Sequence, residues 1–489
     1  MNLRPYILLL LTLCLTRLGY SQSGISLYHL KNTTFQGNNM NPAFIPEGKV
    51  FFGLPVLSGI AIDINSPYSY NDAIKKEEGI DSLDIDKLVQ LSNDKNSVLT
   101  EAEISTFYLG FRTSANTAIS LFVRERIAAR SFYSDDLVDF AWNGNKNYAG
   151  QTLDLSTTMT DVRYYREYGI GLWKRLPKQK IDIGIRAKLI NGMVSVITDR
   201  DFSGSISIDD DYNHHIQLSD ARVNTSGINM FENGSDDEIQ SYATFNNNLG
   251  FGMDLGFNWQ INKQFSASLA VNDLGFINWK ADPKNYWVAD TSFVFGGLEL
   301  RDVDNIADAF EDSLINKLDD STTYQSYRSG LNTSIYASGS YNLTTKDMFT
   351  ATIATHVVQD RTQFYYALGY TRKFGQILAL SANVIRKPQQ GIDMGLGAAV
   401  TLGAVQLYLA SDQIIRSFDV PNTSSFDLRF GINFIFGRKK VVEDRRNDLD
   451  HPSPYGKKEK VEKSDGIYWI VPVKKPRPIY NEKPGFTEK

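Results

Sequence analysis

The sequence predicts an all-β fold, a transmembrane antiparallel β-barrel of about 14 strands with an N-terminal plug and a C-terminal periplasmic tail. Three observations carry this prediction. Strand-like segments are joined by connections that alternate between very short and long, and outer-membrane barrels have even strand numbers, short periplasmic turns and long outer loops. Several segments alternate apolar and polar residues with period two, so each has one apolar face. Past the first 21 residues there is no stretch of roughly 18 apolar residues, which excludes a helical membrane protein.

Arg4, the apolar run Tyr6–Leu15, and Gly19 and Ser21 ahead of a cut before Gln22 read as a secretory signal over residues 1–21. The single cysteine, Cys14, lies inside that signal and follows Leu13, not the small residue a lipoprotein signal uses. Cleavage would leave no cysteine, and so no disulfide or thiolate metal site. A net charge of −5 argues against nucleic acid as a partner.

The strand rows are clearest toward the C-terminal end. Phe426, Leu428, Phe430, Ile432, Phe434 and Phe436 oppose Asp427, Arg429, Gly431 and Asn433. Phe364, Tyr366, Leu368 and Tyr370 oppose Tyr365, Ala367 and Gly369, and Ile392, Met394, Leu396, Ala398, Val400 and Leu402 oppose Asp393, Gly395, Gly397 and Thr401. The apolar rows belong against outer-membrane lipid. Tight turns are expected at Ser114–Asn116, Pro177–Lys180, Asn262–Lys263, Thr344–Lys346, Lys373–Gln376 and Gly403–Ala404. Between them fall long connections, Ile64–Ala102, Ile127–Asp161, Asp201–Phe245 and Asn278–Gly330. Turns and loops keep phase, so the long loops share one face. That face should be extracellular, with both termini periplasmic. Phe202–Asp220 is expected to extend strands as an outer hairpin, and Val303–Leu318 to form a loop helix. Trp173, Trp259 and Tyr341 at turn ends, and Trp279 at the opposite end, fit either an interfacial girdle or ordinary strand packing.

The organisation expected is a leader or plug over 22–48, a barrel over 49–437 and a tail over 438–489, with Val50–Asp63 as the first strand. The leader holds Asn38, Asn39, Asn41, Pro42, Ala43 and Phe44, polar and turn-prone residues suited to folding back into a lumen. Inward Gly395, Gly397, Ala399, Ala379, Ser381, Ala367 and Gly369 leave room for something thicker than water.

Asn41–Pro42–Ala43–Phe44 resembles the Asn-Pro-Ala element of FadL-type channels and of PorP/PorV-like barrels of the type IX secretion system. Ser268–Trp279, SLAVNDLGFINW, is similar to an element of an uncharacterised Bacteroidota outer-membrane barrel family, as is Leu407–Ile414, LYLASDQI. The resemblance implies a barrel of about 14 strands with Asn41, Pro42, Ala43 and Phe44 in a plug. It also implies that the motif Asn272, Asp273, Leu274, Gly275 and Phe276 carries a structural role, with Asp273–Phe276 at a strand end.

The tail is charged and proline-rich, a composition that cannot fold alone. Its island Ile467, Tyr468, Trp469, Ile470 and Val471 is expected to dock on a partner's sheet edge. Chemistry is sparse. His214–His215 diverge on a strand, Asp209–Asp211 lacks the glycine of a calcium loop, and His356 is a lumen histidine with no nucleophile beside it. No enzyme activity, cofactor or metal is expected. The function expected first is a non-catalytic subunit of an envelope secretion or assembly machine, binding protein partners through outer loops and tail. The alternative is a FadL-like channel for hydrophobic small molecules. Phe293, Val294, Phe295 and Leu298 would line its outer groove.

Overall fold

A computed structural model describes residues 24–438, apart from 78–79, 95, 200–202, 212, 289–290, 296–321, 359–360 and 388–390. Period-two alternation keeps the wall segments extended, and fourteen of them form the barrel. They are β1 (Val50–Gly53, resumed as Ile60–Asn65), β2 (Asn96–Ser114), β3 (Thr117–Tyr133), β4 (Met159–Leu176), β5 (Ile181–Thr198), β6 (Leu249–Gln260) and β7 (Phe265–Trp279). The second half is β8 (Thr333–Asn342), β9 (Asp347–Val358), β10 (Arg361–Phe374), β11 (Leu378–Lys387), β12 (Gly391–Leu402), β13 (Val405–Ser411) and β14 (Ser425–Phe436). Each pairs antiparallel with its sequence neighbours. β1 pairs with both β2 and β14, which closes the sheet. Closure removes the sheet edges, the condition for a sheet to cross lipid.

The two faces of the wall are inverted relative to a soluble protein. Phe364, Leu368, Ile392, Met394, Leu396, Leu402, Leu407, Leu409, Phe430 and Phe436 are exposed, whereas Gln363, Asp393, Thr401, Gln406, Asp427, Arg429 and Asn433 are buried. A belt of large apolar side chains around a polar interior requires hydrocarbon outside.

Two sequence expectations need correction here. Val50–Asp63 is not one strand, because Leu54–Gly59 leaves the ladder between Gly53, opposite Asn433, and Ile60, opposite Phe430. Pro55 has no N–H to donate, Val56 adopts φ 66°, and Val56 and Leu57 turn outward into exposure. Asp273–Phe276 is not a strand end but lies inside β7, at a bulge where pairing shifts between Met253 and Leu255. Asp273 takes φ 62° there, and its N–H donates to Asp254 Oδ1 at 2.8 Å. Of the two readings open for the tryptophans, Trp173 and Trp279 take packing within the protein: both are buried. Their indole N–H groups bond inside, to Ala43 O at 3.0 Å and Ser329 Oγ at 2.9 Å. Trp259 does stand exposed on the wall.

The long connections fold beyond one rim. Thr152–Asp154, Ser203–Ile208, His214–Ser219 and Thr291–Phe295 make a separate four-stranded sheet. The expected 202–220 hairpin therefore belongs to this sheet and does not lengthen the barrel strands. Leu153, Ile208 and Tyr148 form its core, with Phe140 and Ile206 packed on it. Ala221–Ser226 and Pro283–Val288 pair with each other, and the former also pairs antiparallel with the end of β5, Val223 opposite Thr198 and Ser226 opposite Ser195. The signal 1–21, the helix expected over Val303–Leu318, Leu298 and the tail beyond 438 lie outside the described residues, as do the Phe293 and Phe295 side chains.

The β1–β2 connection carries a short helix, Tyr70–Ala73, whose N-terminus is closed by a reciprocal box between Ser69 and Asp72. Lys87 Nζ lies 2.8 Å from Asp72 Oδ1. The Lys87 and Ser69 hydrogen bonds hold the Asp72 carboxyl down at about 2. A depressed carboxyl stabilises above its unfolded value of about 3.9, and this contribution disappears as pH falls through about 2. Hydrogen exchange over residues 69–91, corrected for intrinsic rates, is expected to accelerate between pH 4 and pH 2. Asp72→Asn should abolish that step.

Candidate functional site: the filled lumen

Residues Gly24–Pro46 lie inside the barrel. Helix α1 (Ile25–Leu30) is wholly buried, and six residues are too few for a helix to persist without tertiary support. Its N-cap is Gly24, which provides no side-chain cap. The wall supplies one: Asp412 accepts from Ile25 N at 2.9 Å and Ser26 N at 2.7 Å. Ser26 Oγ donates to Ser411 O at 2.8 Å and accepts from Asn383 Nδ2 at 3.0 Å. The small inward residues mark where the helix passes, since a Cβ on Gly369 would run into the His29 ring and one on Gly397 would meet Ser26 O at 2.9 Å.

Apolar groups divide along the helix. Ile25, Tyr28 and Phe44 pack with Ala270, Tyr336, Ala354, Tyr365, Ala367 and Ile385 of the wall, and Tyr28 stacks on Tyr336 at 5.2 Å. Leu27 and Leu30 pack with Ala379, Ala399, Tyr408 and Ala410.

Helix α2 (Gly37–Met40) and the turn after it close the other side. Gln36 and Asn433 exchange amide hydrogen bonds at 2.7 and 2.8 Å. Asn41 Oδ1 accepts from Ala43 N at 2.9 Å, Phe44 N donates to Asn41 O at 2.8 Å, and Asn38 Nδ2 donates to Pro42 O at 2.8 Å. Gly184 and Gly256 face this turn, and Trp173 donates to it. Arg186 Nη1 donates to Asn38 O at 2.9 Å and to Asn39 Oδ1 at 3.3 Å.

Strands β2–β7 present charge to the same lumen. Arg124 bridges Glu103 at 3.1 Å and Glu167 at 2.6 Å. Lys188 lies 2.7 Å from Asp254 Oδ1 and also bonds Asp273, while Arg126 reaches Glu103 at 3.4 Å and Asp273 at 3.6 Å. Arg130 pairs with Glu101. Ions removed from water need such partners, and taking one away leaves an uncompensated charge. Lys188→Met is expected to destabilise the barrel by about 3–5 kcal/mol, read as a lowered urea midpoint in detergent. An unchanged midpoint would mean that water, not Lys188, satisfies Asp254 and Asp273.

The structure thus brings the leader residues Asn38, Asn39, Asn41, Pro42, Ala43 and Phe44 together with Asn272 and Asp273. Asn272 Nδ2 donates to Met40 O at 2.8 Å. Leu274, by contrast, faces outward and is exposed, and Gly275 lies so close to Phe251 O that a side chain would overlap it. His356 faces the lumen, with Nδ1 2.7 Å from Ser334 Oγ. His214 packs edge-on to Phe140, and His215 Nε2 lies 3.0 Å from Asp209. The charged lattice and the Asp412 cap were missed from sequence. The alternation Arg124–Glu125–Arg126 and Arg186–Ala187–Lys188 was the available signal.

A closed barrel with an apolar outer belt and a polar, filled interior defines a transmembrane barrel of the outer-membrane type. The chain belongs to a family of unknown function, DUF5723, which matches residues 42–412. No curated protein matches it in sequence. Among solved structures it is similar to a Pseudomonas aeruginosa FadL homologue, with 10% identity, TM-score 0.39, and coverage of 84% of this chain and 98% of that one. The P. putida toluene transporter TodX gives 10%, 0.36, and 82% and 93%. The Ralstonia pickettii toluene transporter TbuX gives 10%, 0.33, and 84% and 98%. At these scores the likeness carries no activity to this chain.

Proposed function

We propose that this protein is an outer-membrane channel for hydrophobic small molecules, with residues 24–46 as a plug that must move for passage. The observation that carries this reading is the seat of α1. Ile25, Tyr28 and Phe44 occupy an apolar strip of the lumen wall formed by Ala270, Tyr336, Ala354, Tyr365, Ala367 and Ile385. A buried side chain of this kind contributes about 1.5–3 kcal/mol through apolar surface, and an apolar solute on the same strip would compete for that contribution. The plug is held by side-chain hydrogen bonds and packing rather than by strand pairing, so it can leave without breaking the barrel ladder. The four-stranded sheet would then face the cell exterior and both chain ends the periplasm.

Planar bilayers test the plug, and uptake tests the solute. The full chain should be nearly silent, and a variant lacking residues 24–46 should conduct. Cells carrying the full chain should accumulate toluene or a long-chain fatty acid faster than cells without it. Conductance without any such accumulation would remove the hydrophobic solute and leave the plug.

The partner-binding reading has one observation in its favour, the folded sheet that the long connections build beyond the rim. Stoichiometric envelope proteins co-purifying in mild detergent, and lost on deletion of Gly466–Lys489 or of the sheet, would support it.

A further inference from the structure

We propose that residues 242–246, in the connection between β5 and β6, rest on the membrane itself, with Phe245 among the acyl chains of the leaflet on the long-connection side. In the orientation proposed above that is the outer leaflet. This stretch of the connection comes back down the outside of the wall.

Strand parity places it there. Tyr165 and Glu167 of β4 are buried on the lumen side, so Arg166 between them points outward. Arg166 Nη1 donates to Ala243 O at 3.0 Å, and its Nε bonds Glu125, its cross-strand neighbour on β3. Asn191 of β5 stands opposite Arg166 on the same face. Its Nδ2 donates to Asn246 O at 3.0 Å, and its Oδ1 accepts from Asn246 N at 3.4 Å. Tyr242, near the end of the helix Asp236–Thr244, donates to Met193 O of β5 at 3.0 Å. Residues 242–246 are therefore pinned to the wall from outside, and Phe245, between two of the pins, is 50% exposed.

The seat is continuous with the apolar belt. The next outward position down β5 is Leu189, whose cross-strand neighbours are Tyr168 and Phe251. Leu189 and Phe251 are both exposed. Down β4, the next outward charge after Arg166 is Lys174, eight residues on, with Tyr168, Ile170 and Leu172 between them. Eight residues at about 3.4 Å each, on a strand tilted about 40°, rise about 20 Å along the membrane normal, whereas the apolar band of such barrels is about 25 Å tall. A band that starts at Lys174 thus reaches past Arg166 and Glu125 to residues 243–246. Charge on the lipid face is destabilising at that depth, and the stretch closes over the pair, leaving the Arg166 and Glu125 side chains 23% and 14% exposed. The acidic residues Asp236, Asp237 and Glu238 begin the same helix. At 1.5 Å per residue Asp236 is about 13 Å from Phe245, far enough for the acids to stay in water while the ring enters lipid.

The seat does not depend on passage through the lumen, so a depth measurement tests it. In a Cys14→Ser background, Phe245→Cys, Leu189→Cys and Val294→Cys would each carry a nitroxide in full-length protein reconstituted into phosphatidylcholine vesicles. Leu189 marks the lipid belt, and Val294, exposed on the separate four-stranded sheet, marks water. Heat-modifiable migration confirms that each labelled barrel is folded. Relaxation enhancement by oxygen, which concentrates in hydrocarbon, is compared with that by a water-soluble nickel chelate. The oxygen-to-nickel ratio at 245 should be close to that at 189 and several-fold above that at 294. A ratio at 245 equal to that at 294 would overturn the seat. Weak enhancement by both reagents would overturn it as well, because protein, such as a second copy of the chain, would then cover Phe245 in place of lipid.

Discussion

Asp412→Ala is expected to turn a nearly silent barrel into one that opens often. The Asp412 carboxylate accepts two backbone N–H groups at the start of α1, at 2.9 and 2.7 Å. Hydrogen bonds to a charged acceptor contribute about 1.5–3 kcal/mol each, and Gly24 offers no side chain to replace them. Removing the carboxylate leaves two buried donors without a partner, so the seated state should lose about 3–5 kcal/mol relative to any state in which those amides reach water. That is about two to four orders of magnitude in the seated-to-unseated ratio. Asp412 is also tied to the wall, since its own N–H donates to Asp427, which pairs with Arg429 at 2.5 Å. The wall ladder does not use the carboxylate, so the barrel should still fold and show heat-modifiable migration in gels. Open-time fraction in planar bilayers is the measurement. A folded variant as silent as the unaltered protein would remove Asp412 as the clasp.

What the sequence revealed follows from how local each signal is. Strand number and facing came from period-two alternation, visible in single segments such as Phe426–Phe436, where every second residue is apolar. The small inward residues at Gly369, Gly395 and Gly397 were legible as free room because absence of a side chain is itself a sequence property. Pairings among distant residues were not. Arg124 meets Glu167 from the next strand, and Asp412 meets Ile25 across nearly the whole chain. Nothing at either position announces the partner. Trp173 and Trp279 stayed open between two readings for the same reason: both lie near strand ends, as girdle residues do, and only their parity, together with acceptors at Ala43 and Ser329, puts them inside. The break in β1 was a matter of weighing, since Pro55 and Gly59 stood within an otherwise strand-like run.

Gly184→Val should expel the Asn41–Phe44 turn while leaving the wall intact. A Cβ at Gly184 would come within 2.7 Å of Ala43 N and overlap Pro42 O still more closely, and these are backbone atoms that cannot rotate away. Gly256 faces the same turn, where a Cβ would meet Pro42 Cδ at 2.9 Å. Both glycines sit inside regular strands, β5 and β6, where valine otherwise suits the extended backbone. The substitution therefore opposes the turn and not the strand. Trp173 would lose its acceptor at Ala43 O, and Arg186 would lose Asn38 O, so the buried donors that hold the segment would be uncovered together. The expected result is a folded, heat-modifiable barrel in which residues 24–46 become cleavable by added protease, against a resistant segment in the unaltered protein. Gly339→Ala, where a Cβ meets nothing within 4 Å, should change neither property. If Gly184→Val left the segment protected, the turn would have to sit elsewhere in the lumen. If instead the barrel failed to fold, the segment would be part of the folding core, and a plug that leaves during transport would be ruled out with it.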